Sequence, residues 1–161
     1  MEDYFLTSRK EGTMHILSQF KIFEGLEENE LAALHAIAHP IRVEENEYIF
    51  REGTPGDRFY IILEGEVQII IENAGHEQDP DVVAILETNE IFGELAIFDD
   101  SVRSASALTL GPSSLLEFRK DALEELFKKN NHIGMTVMKN LGHVLCERLR
   151  AVDKVFKEPS V

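Results

Sequence analysis

Two periodicities divide this chain. Apolar residues first recur at helical spacing, where Ile16, Leu17 and Phe20 predict a short helix over Thr13–Phe20. Leu31, Leu34 and Ile37 predict a second helix from about Glu28 to Ala38, ended by Pro40. Beyond Pro40 the period falls to two. Strands are predicted at Ile41–Glu44, Glu47–Arg51, Arg58–Leu63, Val67–Glu72, Asp81–Glu87, Arg103–Leu110 and Ser113–Arg119. Turn residues divide them: Glu45-Asn46, Pro55-Gly56-Asp57, Glu64-Gly65, Asn73-Ala74-Gly75, Thr88-Asn89 and Gly111-Pro112. Val67, Ile69 and Ile71 read as one apolar face, with Gln68 and Glu72 on the other. At Asp121 the helical period returns, with Leu123, Leu126 and Phe127 as its stripe and Lys128-Lys129 suiting the helix dipole. Asn130-Asn131 interrupts it, and Asn131 is predicted to cap a longer helix through about Lys157.

So many short strands between turns predict a mainly β protein with flanking helices. The expected architecture is a double-stranded β-helix, or jelly-roll β-roll, with N-terminal helices and two C-terminal helices. Residues 1–12 are polar and expected to be flexible, and 158–161 form a tail, which leaves 13–157 as the domain. The acidic stretch Asn73–Asp81 is expected to be a mobile hairpin tip. In the last helix Val137, Leu141, Val144, Leu145, Leu149, Val152 and Phe156 exceed what one narrow stripe requires. Either that helix packs broadly on the β-roll, or a second flank pairs with another subunit.

Sixteen basic residues against 30 acidic ones give a net charge of −14. That balance argues against nucleic acid, whose affinity comes from Lys and Arg neutralising phosphates, and against anionic membranes. Any site for an anion must be locally positive. Cys146 is the only cysteine, so an intrachain disulfide is impossible. The acidic start, Met1-Glu2-Asp3-Tyr4-Phe5, does not read as a signal peptide, and no apolar run approaches the ~20 residues of a membrane helix. The expected location is cytoplasmic.

Within that acidic background stands Phe92-Gly93-Glu94-Leu95-Ala96, followed by Arg103-Ser104-Ala105. Gly93 lets the backbone approach a ligand closely. If Glu94-Leu95-Ala96 opens a helix, its first N–H groups have no partner within it and attract an anion. Arg103 can hold two oxygens of a phosphate, whereas Glu94 only accepts and suits a sugar hydroxyl. Donors for an anion beside a carboxylate describe a sugar-phosphate site. Asp99 and Asp100 lie in the intervening turn, where they are solvated or, facing the phosphate, would weaken binding.

These residues resemble the phosphate-binding cassette of cyclic nucleotide-binding domains, the family of the regulatory subunits of cyclic AMP-dependent protein kinase and of the catabolite activator protein. The segment from Glu52 to Val67, with Gly53, Pro55-Gly56-Asp57 and Gly65, is similar to the family's strand-turn-strand segment. The resemblance covers about Phe20 to Phe156. It implies a nucleotide site of Gly93, Glu94, Leu95, Ala96, Arg103, Ser104 and Ala105. The amides of Leu95 and Ala96 and the Arg103 side chain would hold the cyclic phosphate, and Glu94 would accept from the ribose 2′-hydroxyl. Ser104 would bond a phosphate oxygen or a syn purine, which leaves cyclic AMP as first choice and cyclic GMP open. The resemblance further implies that the last helix closes over the base and carries the signal. Val152 and Asp153 stand where the catabolite activator protein has a threonine and a serine that contact the base, and Arg148, Arg150 or Phe156 is the alternative stacking lid.

Other chemistry is disfavoured. A cupin-like metal site needs histidines on the strands, and no predicted strand carries one; His35 and His39 stand one helical turn apart without a third ligand. No nucleophile elbow, P-loop or Ser/His/Asp signature occurs, and no cofactor or metal is expected. The expected function is a non-enzymatic regulatory module that binds a cyclic nucleotide. It would act through a homodimer formed by the C-terminal helix or through an unidentified protein effector, without binding nucleic acid itself. The alternative is an assembly domain that keeps the fold without the ligand.

Overall fold

A computed structural model describes residues 16–72 and 80–157, the last three by their backbone alone. The expected flexible N-terminus, the start of the first helix at Thr13, the hairpin tip at 73–79 and the tail at 158–161 lie outside the described residues. In chain order the elements are a 3-10 turn at Lys21–Phe23, α1 (Glu28–His35), β1 (Ala38–Val43), β2 (Tyr48–Phe50), β3 (Arg58–Glu64), β4 (Val67–Ile71), β5 (Asp81–Leu86) and β6 (Ile91–Phe92). They continue with α2 (Leu95–Phe98), β7 (Ser106–Thr109), β8 (Ser113–Arg119), α3 (Lys120–Lys129) and α4 (Asn131–Lys157). The chain divides into two compact units: Ile37–Leu123, and the residues up to Ala36 together with those from Glu124 onward.

The Ile37–Leu123 unit is the expected jelly-roll. Its strands form two four-stranded antiparallel sheets, ordered β1-β8-β3-β6 and β2-β7-β4-β5. Each sheet supplies its inward residues to one core: Tyr60, Ile62, Phe92 and Leu115 from the first, Val67, Leu86 and Ala107 from the second. Burial of those side chains is the main stabilising term. The buried hydroxyl groups are satisfied. Thr109 Oγ1 donates to a main-chain carbonyl at Glu44 and accepts from Glu47 N–H (3.0 Å), and Ser113 Oγ donates to Gly111 O (2.9 Å).

Several boundaries differ from the expectation, each for a physical reason. The helix expected to reach Ala38 ends at His35, and Ala38 already pairs with Phe118. Pro40 lies within β1 opposite Leu116. It is tolerated because β1 is an edge strand, and a proline biases the residue before it, His39, towards extended backbone. His35 and His39 therefore share no helix face. In β4 the expected apolar face breaks, since the register against β5 shifts between Ile69 and Ile70. That irregularity buries Ile70 and exposes Ile71. The two-residue strand β6 is too short to show a period. The strand expected from Arg103 begins only at Ser106.

In the other unit α4 follows α3 after one residue, and the capping side chain belongs to Asn130 rather than Asn131. Asn130 Oδ1 accepts from the N–H groups of His132 (3.0 Å) and Ile133 (3.2 Å). Leu17, Phe20, Ile22, Phe23, Leu31, Leu34, Ile133, Val137 and Leu141 are its buried apolar residues. Asn140 Nδ2 donates to the carbonyls of Ile22 (3.0 Å) and Glu24 (2.9 Å). Glu30 is buried at the same joint. Its carboxylate accepts from Glu27 N–H (3.0 Å) and Asn130 Nδ2 (3.2 Å), and meets His132 Nδ1 at 2.8 Å. The Glu27 bond, helped by His132 and Asn130, outweighs burial and holds the Glu30 carboxyl below the usual carboxylate range.

Candidate functional site

An aromatic floor comes first. Phe50 of β2, Tyr60 of β3 and Phe92 of β6 face one another, with ring centroids 6.1 Å apart for Phe50 and Tyr60, 6.0 Å for Phe50 and Phe92, and 5.1 Å for Tyr60 and Phe92. Burial pushes the Tyr60 hydroxyl up to about 12. Over this floor lies the Arg103 guanidinium, its Cζ 4.1 Å from the Phe50 ring centroid. An arginine over an aromatic face gains a cation–π attraction that partly offsets its lost hydration.

Arg103 is only 6% exposed. Its Nη1 donates to Gly93 O (3.1 Å) and its Nη2 to Arg58 O (2.7 Å). Its Nε is buried without a hydrogen-bond partner among the described residues. Burial is the main influence on this side chain, lowering its pKa from the usual arginine value. A buried cation held by two carbonyl dipoles, with a donor left over, favours the arrival of an anion.

The backbone around Arg103 explains why no strand begins there. Arg103 N–H donates to Thr54 O (2.8 Å), Gly53 N–H donates back to Arg103 O (2.8 Å), and Val102 forms an isolated bridge with Pro55. The residue is thus tied to the loop before β3 and not to a sheet ladder. Gly56 belongs to the same loop, and a Cβ there would stand 3.0 Å from Ala96 Cβ and 3.3 Å from Ser101 O. Gly93 is constrained twice. Its φ is +73°, and a Cβ would meet Arg103 Nη1 at 2.8 Å.

The remaining residues fall around this centre. Glu94 precedes α2 and is 5% exposed. The α2 helix is a single turn of four residues, so individual N–H groups matter more than any macrodipole. Ala96 is buried and its N–H makes only a 3.4 Å contact with Gly93 O, while Leu95 is exposed. Ser104 is exposed and Ala105 half-buried, in the bend before β7. The structure therefore gathers Gly93, Ala96 and Arg103 with the loop from Gly53 to Arg58. Two motifs far apart in sequence form one cradle.

Nearby charges are largely committed to each other. Arg58 makes paired bonds to Asp57, Nε to Oδ1 and Nη2 to Oδ2 at 2.8 Å each, and a third to Glu117 Oε1 (3.1 Å). The Arg58 bonds hold the Asp57 carboxyl below the usual range. Both acidic residues of the cassette turn are engaged as well. Asp99 Oδ1 accepts from Ser101 N–H (3.1 Å) and Oγ (2.6 Å), which lowers its pKa. Asp100 pairs with Lys120 Nζ at 2.8 Å. The sequence reading missed Phe50, Tyr60, Lys120 and the carbonyls of Thr54 and Arg58. Phe50 carried a faint signal, as an aromatic residue on a predicted strand. Carbonyl acceptors carry none, because every residue has one.

Among the described residues no group of three His, Cys, Asp or Glu could hold a metal ion, and no helix is long and apolar enough to cross a membrane. In comparisons with known proteins, the family model for the cyclic nucleotide-binding domain matches residues 40–130. The chain is 33% identical over 138 residues to a CRP-like cAMP-activated global transcriptional regulator of Mycobacterium tuberculosis, spanning 86% of this chain and 59% of that protein. It is 32% identical over 111 residues to a cAMP-dependent protein kinase regulatory subunit of Dictyostelium discoideum, spanning 68% of this chain and 34% of that one. A solved cyclic nucleotide-binding domain from Methylobacillus flagellatus aligns with a TM-score of 0.79 at 25% identity, over 94% of this chain and 85% of its own.

Proposed function

The chain belongs to the cyclic nucleotide-binding domain family, and from that premise we propose that it is a regulatory module which reversibly binds a cyclic nucleotide, cyclic AMP before cyclic GMP. The observation that carries the reading is the buried Arg103 guanidinium with an unpartnered Nε beside Gly93. In this reading Arg103 and the N–H groups of Leu95 and Ala96 hold the cyclic phosphate, with Ser104 and Ala105 beside it. Glu94 takes the ribose 2′-hydroxyl. The names of the two curated relatives above favour cyclic AMP. The Ser104 hydroxyl is the feature that would suit cyclic GMP.

No step of this function requires the protein to make or break a covalent bond, so the module is proposed to act as a switch and not as an enzyme. Its output is assigned to α4, whose equilibrium the ligand biases through differential contacts, with Arg148 or Arg150 as the candidate lid over the base. A homodimer through the same helix is also proposed. Met135, Met138, Gly142, Leu145, Leu149 and Val152 alternate at spacings of three and four, the heptad seam of a coiled coil. Three of them are well exposed, Met135 at 75%, Leu149 at 63% and Val152 at 51%, whereas Ile133, Val137 and Leu141 on the other flank are buried.

Calorimetric titration with each cyclic nucleotide tests the reading. Binding by the parent and a loss of about 1.5–3 kcal/mol in Arg103→Ala are expected, the worth of a hydrogen bond to a charged group. A parent protein that binds neither nucleotide would leave only an assembly role.

A further inference from the structure

The cassette turn is fastened by a residue that its motif does not contain. Lys120 is the first residue of α3, and its side chain is 17% exposed. From there Nζ reaches back to donate to Asp99 O (2.8 Å) and to Asp100 Oδ1 (2.8 Å). The backbone beneath it is fixed too, since Lys120 N–H donates to Asp57 O (2.8 Å). The turn it holds connects the two halves of the cradle, the N–H groups at the start of α2 and the Arg103 side chain. The turn's other ties are local to the cradle: Asp99 N–H to Leu95 O (3.4 Å), Asp99 Oδ1 to Ser101, and Val102 to Pro55.

We infer that Lys120 is a positioning residue for the phosphate cassette, which fixes the turn between α2 and Arg103 and links occupancy of the cradle to the start of α3. This inference rests on the nucleotide-binding reading above. Of the two bonds, the one to the Asp99 carbonyl matters more. The Asp100 side chain is 99% exposed, and an ion pair that open to water contributes little. The carbonyl bond acts on the backbone, and a small displacement there moves both halves of the cradle. Lys120 also brings a cation to a turn whose two carboxylates would otherwise oppose an incoming phosphate. Its effect should be felt equally by any cyclic nucleotide, because the phosphate is common to all of them.

The test is calorimetry on the full chain with cyclic AMP and cyclic GMP for Lys120→Met, Lys120→Arg and Asp100→Asn. Lys120→Met should weaken both ligands by a similar factor of about 10, as for one lost hydrogen bond of ordinary strength. The unliganded variant should still unfold cooperatively, with no more than the modest fall in melting temperature that one lost hydrogen bond brings. Lys120→Arg keeps the charge and the donors and should restore affinity to within about 3-fold, while Asp100→Asn should stay within about 2-fold of the parent. Hydrogen exchange on the unmodified protein gives an independent readout: nucleotide should slow exchange at 99–101 and 120–123 together. Parent-like affinity in Lys120→Met, an equal loss in Asp100→Asn, or protection confined to the cassette would overturn the inference. A parent that binds no nucleotide would instead remove the reading beneath it.

Discussion

At position 93 two constraints meet, a left-handed backbone and the passage of a guanidinium where a Cβ would stand. Gly93→Ala should therefore behave as a binding mutant more than a folding mutant. An L-residue in that region costs about 1–2 kcal/mol, and the added methyl, 2.8 Å from Arg103 Nη1, forces the guanidinium off the Gly93 carbonyl. Titration should show at least a tenfold loss of nucleotide affinity, with cooperative thermal unfolding retained. Glycine and arginine were both legible as types in the sequence. That they touch each other was not, because ten positions separate them and the contact depends on how the loop ending at Arg58 is placed.

Among the elements, the joint between α1 and α4 is the most informative. Glu30 and Asn130 stand 100 positions apart, so no local pattern joins them, yet their side chains bond and Asn130 also caps α4. The folded-state pKa of Glu30 lies below its ordinary value. Its stabilising contribution is thus present above the usual carboxylate range and is lost as pH falls through the folded value. Glu30→Gln should lower the melting temperature at neutral pH and shrink the difference between neutral and acid melting temperatures. An unchanged difference, read by circular dichroism melts across pH, would assign the acid limb to other carboxylates. The misplaced helix end before Pro40 teaches the same lesson. Proline is a stop signal for a helix, but on the edge strand β1 it is an ordinary member.

For the whole molecule, the charge of −14 and the partly exposed stripe on α4 set the terms. A diffuse negative field opposes nucleic acid and a free nucleotide alike, so in the proposed reading recognition comes from short-range groups in the cradle. The stripe on α4 alternates by three and four while the opposite flank is buried, which suits a second copy of the same helix. Leu149→Arg, at a position 63% exposed in the single chain, should leave folding intact and shift the protein towards monomer in sedimentation velocity. A species distribution matching the parent's would remove α4 as the dimer seam.

Short apolar runs divided by turn residues were enough to predict a jelly-roll between helices, although strict alternation was not what recorded it: Phe59 to Ile62 of β3 are all buried. The family too was legible, since Gly93, Glu94 and Arg103 stand in the order and spacing of its cassette. Tertiary structure alone decided the rest. The bulge that turns Ile70 inward, the aromatic floor under Arg103, the carbonyls that grip its guanidinium and the reach of Lys120 to Asp99 all depend on segments that meet only after folding. A period can announce which face of a strand is apolar. It cannot announce which backbone oxygen will lie three ångströms from a distant side chain, because that information resides in the packing of the two sheets and not in any one of their strands.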